Sequence, residues 1–228
     1  PPMARVNTYR LTARYNAATQ EIGEMAGQAS IRYSPNSHWA LGLDYSQIMN
    51  LDMDNLFYRE IYIDATWKPK DAWNILFGVQ HQWYNQFIYE GKPGDLSTIT
   101  PYTDIQYKFD DHRALRMEAS AMFTGRVGSA QNTDYGDWLF GLLEYTIAPH
   151  WTFTVSDMFN FNPKRINPDT GDFEDPIHYP RFDVFYSTGP HRFAFSYVKQ
   201  VDGIVCTGGI CRYEPAFSGF KVGMQSNF

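Results

Sequence analysis

The chain has 228 residues, a formal net charge of −6, and 16 Tyr, 17 Phe and 6 Trp. The negative charge argues against nucleic acid as a partner. The longest apolar run, Trp138 to Leu143, falls far short of the ~18 residues of a transmembrane helix. A mean hydropathy of −0.44 would describe a soluble protein, but strands that alternate lipid-facing and lumen-facing residues hide in such a mean, and interfacial aromatics are their usual excess.

Taken in order, the sequence reads as strand after strand of period two. Met3 to Asn16 is predicted as the first, with Tyr9, Leu11, Ala13 and Tyr15 on one face and Arg10, Thr12 and Arg14 on the other. The second sets Met25, Ala29, Ile31 and Tyr33 against Glu24, Gln28, Ser30 and Arg32, and turns at Ser34-Pro35-Asn36-Ser37, where Pro presets φ and Asn tolerates the left-handed region. Trp39, Leu41, Leu43 and Tyr45 then oppose His38, Gly42, Asp44 and Ser46. After a polar loop, Phe57, Ile61, Ile63, Ala65 and Trp67 oppose Tyr58, Glu60, Tyr62, Asp64 and Thr66. Trp73 to Trp83 follows, with Asn74, Gln80 and Gln82 on its polar side, then a loop from about Asn85 to Ser97.

The rhythm continues through Ile99 to Phe109, Leu115 to Phe123, Leu139 to Ile147, Trp151 to Phe159, Phe182 to Tyr186 and Phe193 to Tyr197. The last stretch, Ser218 to Phe228, puts Phe220, Val222, Met224 and Phe228 on one face and Gly219, Lys221, Gly223, Gln225 and Asn227 on the other. The count comes to about twelve strands.

Two regularities select a membrane barrel over a soluble sandwich. Connections alternate between short turns and long loops, as they do in outer-membrane barrels. Each strand after a short turn opens on a large apolar residue: Trp39, Trp73, Leu115, Trp151 and Phe193, at steps of 34, 42, 36 and 42 residues. With Trp67 approaching from the other side and Phe228 at the end of the chain, these define an aromatic girdle at one membrane interface. The expected fold is therefore a single all-β domain over residues 1–228, a transmembrane antiparallel up-and-down β-barrel.

The ending Phe220-x-Val222-x-Met224-x-Ser226-x-Phe228 resembles the C-terminal signal of bacterial outer-membrane β-barrels, with Ser226 where an apolar residue is usual. Gly209-Ile210-Cys211-Arg212-Tyr213-Glu214-Pro215 followed by Gly219-Phe220 resembles the ending of an outer-membrane barrel family of Bacteroidota that carries no assigned activity. The resemblance covers the last two dozen or so residues. It implies that further strands and a signal peptide precede Pro1. The abrupt Pro1-Pro2 start likewise suggests a processed form or part of a longer protein.

Chemistry-bearing residues are few. Cys206 and Cys211 fit a disulfide in an exported protein, contributing at most about 2 kcal/mol for so short a loop; a zinc half-site is the sharper alternative. Asp169, Asp172, Glu174 and Asp175 gather hard oxygen ligands suited to Ca²⁺, without EF-hand spacing, so a solvated acidic loop is the simpler reading. His38, His112, His150 and His191 recur at short turns and read as turn and girdle chemistry; His81 and His178 lie nearer the outer rim, and His178 with Asp183 or Ser187 could be assembled into an acid–base pair for a rim hydrolase, though nothing in the spacing selects it.

The inward parity carries both signs, including Asp104, Arg116, Glu118, Arg181 and Asp183, which adjacent strands can pair across the wall. Leu76, Met122, Phe140, Leu142, Met158 and Phe185 fall on that parity too, beside Tyr58, Tyr62 and Tyr102, so the interior is expected to be partly filled or covered. The reading is a non-enzymatic outer-membrane barrel with no cofactor beyond a candidate Ca²⁺. It acts as an accessory or scaffold subunit of a secretion or barrel-insertion assembly, partnered by the lipid bilayer and by other outer-membrane proteins or lipoproteins. The alternatives are a porin-like diffusion channel and the rim hydrolase.

Overall fold

A computed structural model describes residues 7–18, 21–127, 136–167, 169–201, 203–207 and 210–226, the last two segments as backbone only up to residue 213. Its elements are β1 (Glu24–Asn36), β2 (Trp39–Asn50), β3 (Leu56–Trp67), β4 (Trp73–Asn85), the short helix α1 (Gln86–Glu90), β5 (Asp95–Lys108), β6 (Arg113–Val127), β7 (Asp137–Ile147), β8 (Trp151–Asn162), β9 (Ile177–Thr188), β10 (His191–Gln200), β11 (Gly203–Thr207), β12 (Ile210–Glu214) and β13 (Phe217–Ser226). Eleven of the strands form one antiparallel sheet in the order β1 to β10, then β13; β11 and β12 form a separate hairpin.

The alternation predicted from sequence sets the register. One row runs Ile31, Leu43, Ile63 and Val79 from β1 to β4, and the adjacent row runs Ser30, Asp44, Tyr62, Gln80 and Thr100 from β1 to β5. Because the side-chain period is two, each row keeps to one face of the sheet. The apolar rows are exposed, and the polar rows of β2 to β6 are buried. That inversion of the usual soluble pattern is what an apolar solvent outside the sheet would select. Pro101 sits in the middle of β5 and has no N–H to donate; the β5–β6 ladder passes over Thr100 and Pro101.

Three sequence expectations are corrected. Residues 7–18 do not form a strand. Leu11 and the adjacent Thr12 are both fully buried, which a half-lipid-facing strand cannot arrange. Ala13 N–H donates to the Tyr9 carbonyl at 3.0 Å and Arg14 N–H to Leu11 at 3.2 Å, so the segment coils into turns and packs on the inner face. Consequently the sheet has eleven strands rather than twelve, and among the described residues β1 and β13 make no pairing with each other. Finally, the short–long rhythm is not strict in length, since the connections 51–55 and 68–72 are equally long. The others keep it, from 37–38 and 189–190 at one end to 163–176 at the other.

Two elements were not foreseen. Helix α1 is closed at one end by Asn85, whose side chain accepts from Ile88 N–H, and at the other by Gly91 at φ 68°, the left-handed position that favours glycine. The β11–β12 hairpin, with Cys206 opposite Cys211 in its backbone register, interrupts the longest loop of the C-terminal half.

Candidate functional site

The inner face of the sheet and the segment 7–18 lying on it form a place where buried polar chemistry converges. The strands hold the segment by donors aimed at its irregular backbone. Gln80 Nε2 donates to the Thr12 carbonyl at 2.9 Å, and Gln82 Nε2 to the Tyr15 carbonyl at 3.3 Å. Asn7 Nδ2 in turn donates to Glu60 Oε1 at 2.9 Å, an oxygen that also accepts from Gln80 at 2.6 Å. Non-helical, non-strand backbone away from water requires such partners.

Rings complete the attachment. Tyr9 packs on Tyr102 at 4.6 Å and Tyr15 on Tyr84 at 5.2 Å. The Arg14 guanidinium lies over the Trp138 ring at 4.1 Å. The segment thereby touches β3, β4, β5 and β7. Tyr102 has room because Gly78 opposes it; a Cβ there would lie 2.5 Å from the Tyr102 hydroxyl.

Toward the long-loop end the interior is apolar. Leu11, Tyr15 and Ala17 join Ile48, Phe57, Tyr58, Tyr84, Tyr89 of α1, Leu96, Met122, Trp138 and Met158 in one cluster, with Phe140 packed against it. The inward apolar residues Met122, Met158 and Phe140, with Tyr58, are therefore part of a filled interior, as their parity implied. Toward the short-turn end the interior is polar and partly open. A cavity of about 430 Å³ is lined by Lys68, Asn74, Lys108, Arg116 and Glu144, among others.

The five inner-face charges singled out by parity fall into two clusters. Arg116 bridges Asp104 at 2.8 Å and Glu118 at 2.9 Å. Arg181 grips Asp183 at 2.7 and 2.9 Å, and Ser196 Oγ donates to the same carboxylate at 2.6 Å. Each is a cross-strand or same-strand pair that neutralises a charge facing the interior.

The girdle residues sit at one level at the short-turn end. Trp39 stacks on Trp67 at 5.7 Å, Trp73 meets Tyr107 at 4.5 Å, and Trp151 meets Tyr186 at 4.6 Å, with Phe193 next in line at 6.3 Å from Tyr186. Phe228 lies outside the described residues. The turn histidines lash neighbouring turns together. His38 accepts at its carbonyl from Lys68 N–H and places Nδ1 2.8 Å from the Lys68 carbonyl; His150 does the same with Ser187, at 2.7 Å. A carbonyl only accepts, so Nδ1 carries the proton in both rings.

The other candidates do not assemble. His178 pairs with Asp157 at 2.5 Å and stacks on Phe159 at 3.9 Å, while Asp183 is held on the opposite face by Arg181 and Ser196; the His178–Asp183 pair is overturned by the strand parity that separates them. In the acidic loop, Glu174 faces Arg165 at 3.3 Å, and Asp169 and Asp172 use backbone N–H groups to cap Asn167 and Thr170. Among the described residues no three His, Cys, Asp or Glu side chains converge as a metal site. The side chains of Cys206 and Cys211 lie outside the described residues. The roles of Gln80, Gln82, Glu60 and Trp138 were missed; the polar parity placed the first three inward, but nothing in a one-dimensional pattern names what they hold.

Nothing among the curated proteins matches the chain. Among solved structures, a Pseudomonas aeruginosa FadL homologue is similar at 12% identity and a TM-score of 0.43, over 88% of this chain and 65% of that one. The chain thus spans 65% of that structure's length. The model of a family of unknown function, DUF6029, matches residues 1–228, and the chain belongs to that family.

Proposed function

We propose that this chain forms the wall of a β-barrel in a bacterial outer membrane, that its interior is sealed by its own residues 7–18, and that it serves as a non-enzymatic accessory or scaffold subunit of a larger outer-membrane assembly, such as secretion or barrel-insertion machinery. The reading rests on one observation above the rest: irregular backbone anchored inside the sheet by Gln80, Gln82 and Glu60. A passive pore has no use for a fully buried Trp138 and Met122 in its path.

The outer face supports the membrane. Ile31, Ile63, Val155 and Phe195 are exposed in mid-strand, and the aromatic belt marks one interface. Its partners are then the bilayer and other outer-membrane proteins or lipoproteins. Assignment to the Bacteroidota is carried by the resemblance of the C-terminal residues.

Purification in mild detergent from native membranes tests the subunit reading. A co-migrating protein is expected, and a protein that always runs alone sinks it. Planar-bilayer recording tests the seal. A closed baseline is expected, and a stable open pore in the intact protein would overturn the seal in favour of the porin-like channel.

A further inference from the structure

The outward face of β2 to β5 changes character toward the long-loop end. On β4 the outward positions run Trp73, Ile75, Phe77, Val79, His81 and Trp83. Trp73 belongs to the aromatic belt at the short-turn end. Trp83 lies roughly 33 Å further along the strand, or about 25 Å in height at a tilt of about 40°, which is the thickness of the apolar band on such barrels. The register carries that level sideways. Gln47 of β2 pairs with Arg59 of β3, Arg59 with Trp83, and Trp83 with Ser97 of β5. One step toward the short turns, Tyr45, Ile61, His81 and Ile99 form the adjacent outward row.

From this arrangement, and resting on the membrane reading above, we propose that the row of Gln47, Arg59, Trp83 and Ser97 is the second membrane interface, and that Arg59, with His81 beside it, binds the anionic phosphate of a lipid headgroup there. Arg59 is exposed and, among the described residues, has no ion-pair partner. Its neighbours do not neutralise it. Gln47 turns its amide along its own strand, accepting from the Tyr45 hydroxyl and donating to Met49 Sδ at 2.8 Å. Glu60, next in sequence, is buried on the opposite face, and Asp95 stands beyond Ser97, opposite Asn85. By contrast Asp157, the outward carboxylate of β8, is matched by His178 at 2.5 Å.

The chemistry of the row selects the ligand. A guanidinium fork meets a phosphate through two parallel N–H bonds. Diagonal neighbours on adjacent strands lie about 7–8 Å apart, within reach of long side chains, and His81 stands diagonal to Arg59 with its Nε2 3.1 Å from Ser97 Oγ. The Trp83 indole suits the boundary between headgroup and hydrocarbon. Directly beneath, Ile61, Ile63 and Phe77 are exposed. An acidic protein surface would match Arg59 alone; a molecule with an anion above and hydrocarbon below matches both rows.

The experiment starts from native protein in carbonate-washed membranes. Release by the wash overturns the membrane reading and this site with it. Retained protein is extracted in mild detergent, and native mass spectrometry compares bound phosphatidic acid with bound phosphatidylcholine after equal amounts are added. Wild type is expected to prefer phosphatidic acid. Arg59→Gln combined with His81→Gln is expected to lower that preference by about tenfold; neither side chain belongs to the interior cluster, so the variant keeps its core. Lys199→Gln removes a cation of β10 that lies outward by parity, since Ser196 and Val198 are buried, and is expected to leave the preference unchanged. Added inorganic phosphate is expected to leave the lipid bound. In protein that survives the wash, an unaltered preference in the double variant, an equal loss in Lys199→Gln, or displacement by inorganic phosphate overturns the headgroup site alone.

Discussion

The inner faces of β2–β6 and of the edge strands β1 and β13 share one sequence pattern and have opposite fates. In the first region Asp44, Glu60, Gln80, Gln82 and Thr100 are buried under the coiled N-terminal segment or close beside it. In the second, Arg32 and Lys221 remain open although the same parity turns them inward. Burial of a polar row is decided by what covers it, and alternation alone is silent on that. The comparison also separates two kinds of stability. The covered region has a packed apolar cluster and polar anchors to distant backbone, while among the described residues the edges have one ladder each.

The strongest way to break the contrast is to empty the covered region. Leu11→Ala removes a fully buried side chain from the interior cluster and is expected to cost about 2–5 kcal/mol. Val222→Ala at the edge, where the side chain is 82% exposed, is expected to stay within about 0.5 kcal/mol. Urea unfolding of both variants in lipid vesicles reads the difference, and equal effects would show that residues 7–18 do not pack as described.

Next in size is the exposed apolar row. Ile63 lies near the middle of β3 with its side chain outward. Ile63→Arg is expected to destabilise by about 2–4 kcal/mol if that face meets hydrocarbon, and by far less if it meets water. The same vesicle assay, repeated in detergent-free buffer for a released sheet, would distinguish the two.

Gly78→Ala is a subtler probe. The new Cβ would meet both the Ile63 carbonyl and the Tyr102 hydroxyl at 2.5 Å, so Tyr102 must move and its packing on Tyr9 loosens. A cost of about 1–3 kcal/mol is expected, with faster proteolysis of residues 7–18. Gly141→Ala, where a Cβ meets nothing within 4 Å, should leave proteolysis unchanged.

The smallest expected effect lies in a short turn. The Asp110 carboxylate, in the turn between β5 and β6, is held below its ordinary range chiefly by the Arg113 side chain and by backbone N–H groups of the same turn. A depressed carboxylate pKa adds stability that is present above the unfolded value of about 3.9 and is lost as pH falls through the lower native value. Only titration below about pH 4 should loosen this turn, and Asp110→Asn should abolish that pH dependence. An NMR titration of the turn amides that gave an unshifted Asp110 would refute it.

Much of the architecture was legible in the residues themselves. The strands of the eleven-stranded sheet, the facing of Ile31 against Arg32, the shared level of Trp39, Trp73 and Trp151, and the inward placing of Asp104 with Arg116 all follow from period two and cross-strand neighbours, whereas the β11–β12 hairpin did not show in the pattern. The histidines at short turns were also recognisable by position. Helix α1 was not, because five residues carry too little periodicity to separate from a loop.

The candidate site was legible only in part. Parity placed Glu60, Gln80 and Met122 inward, and an apolar inward set signalled a filled interior. What fills it was misread, since Tyr9, Leu11, Ala13 and Tyr15 alternate like the strands around them. The sequence by itself determined the faces of the sheet, because side-chain direction in a strand depends only on position along the chain. Only the tertiary structure decided that residues 7–18 leave the wall and lie against it. That choice rests on distant partners, with Gln80 and Gln82 satisfying the segment's carbonyls and the rings of Tyr84, Tyr102 and Trp138 packing against its side chains. No local pattern records a contact made across more than sixty residues of chain, such as the Gln80 bond to Thr12.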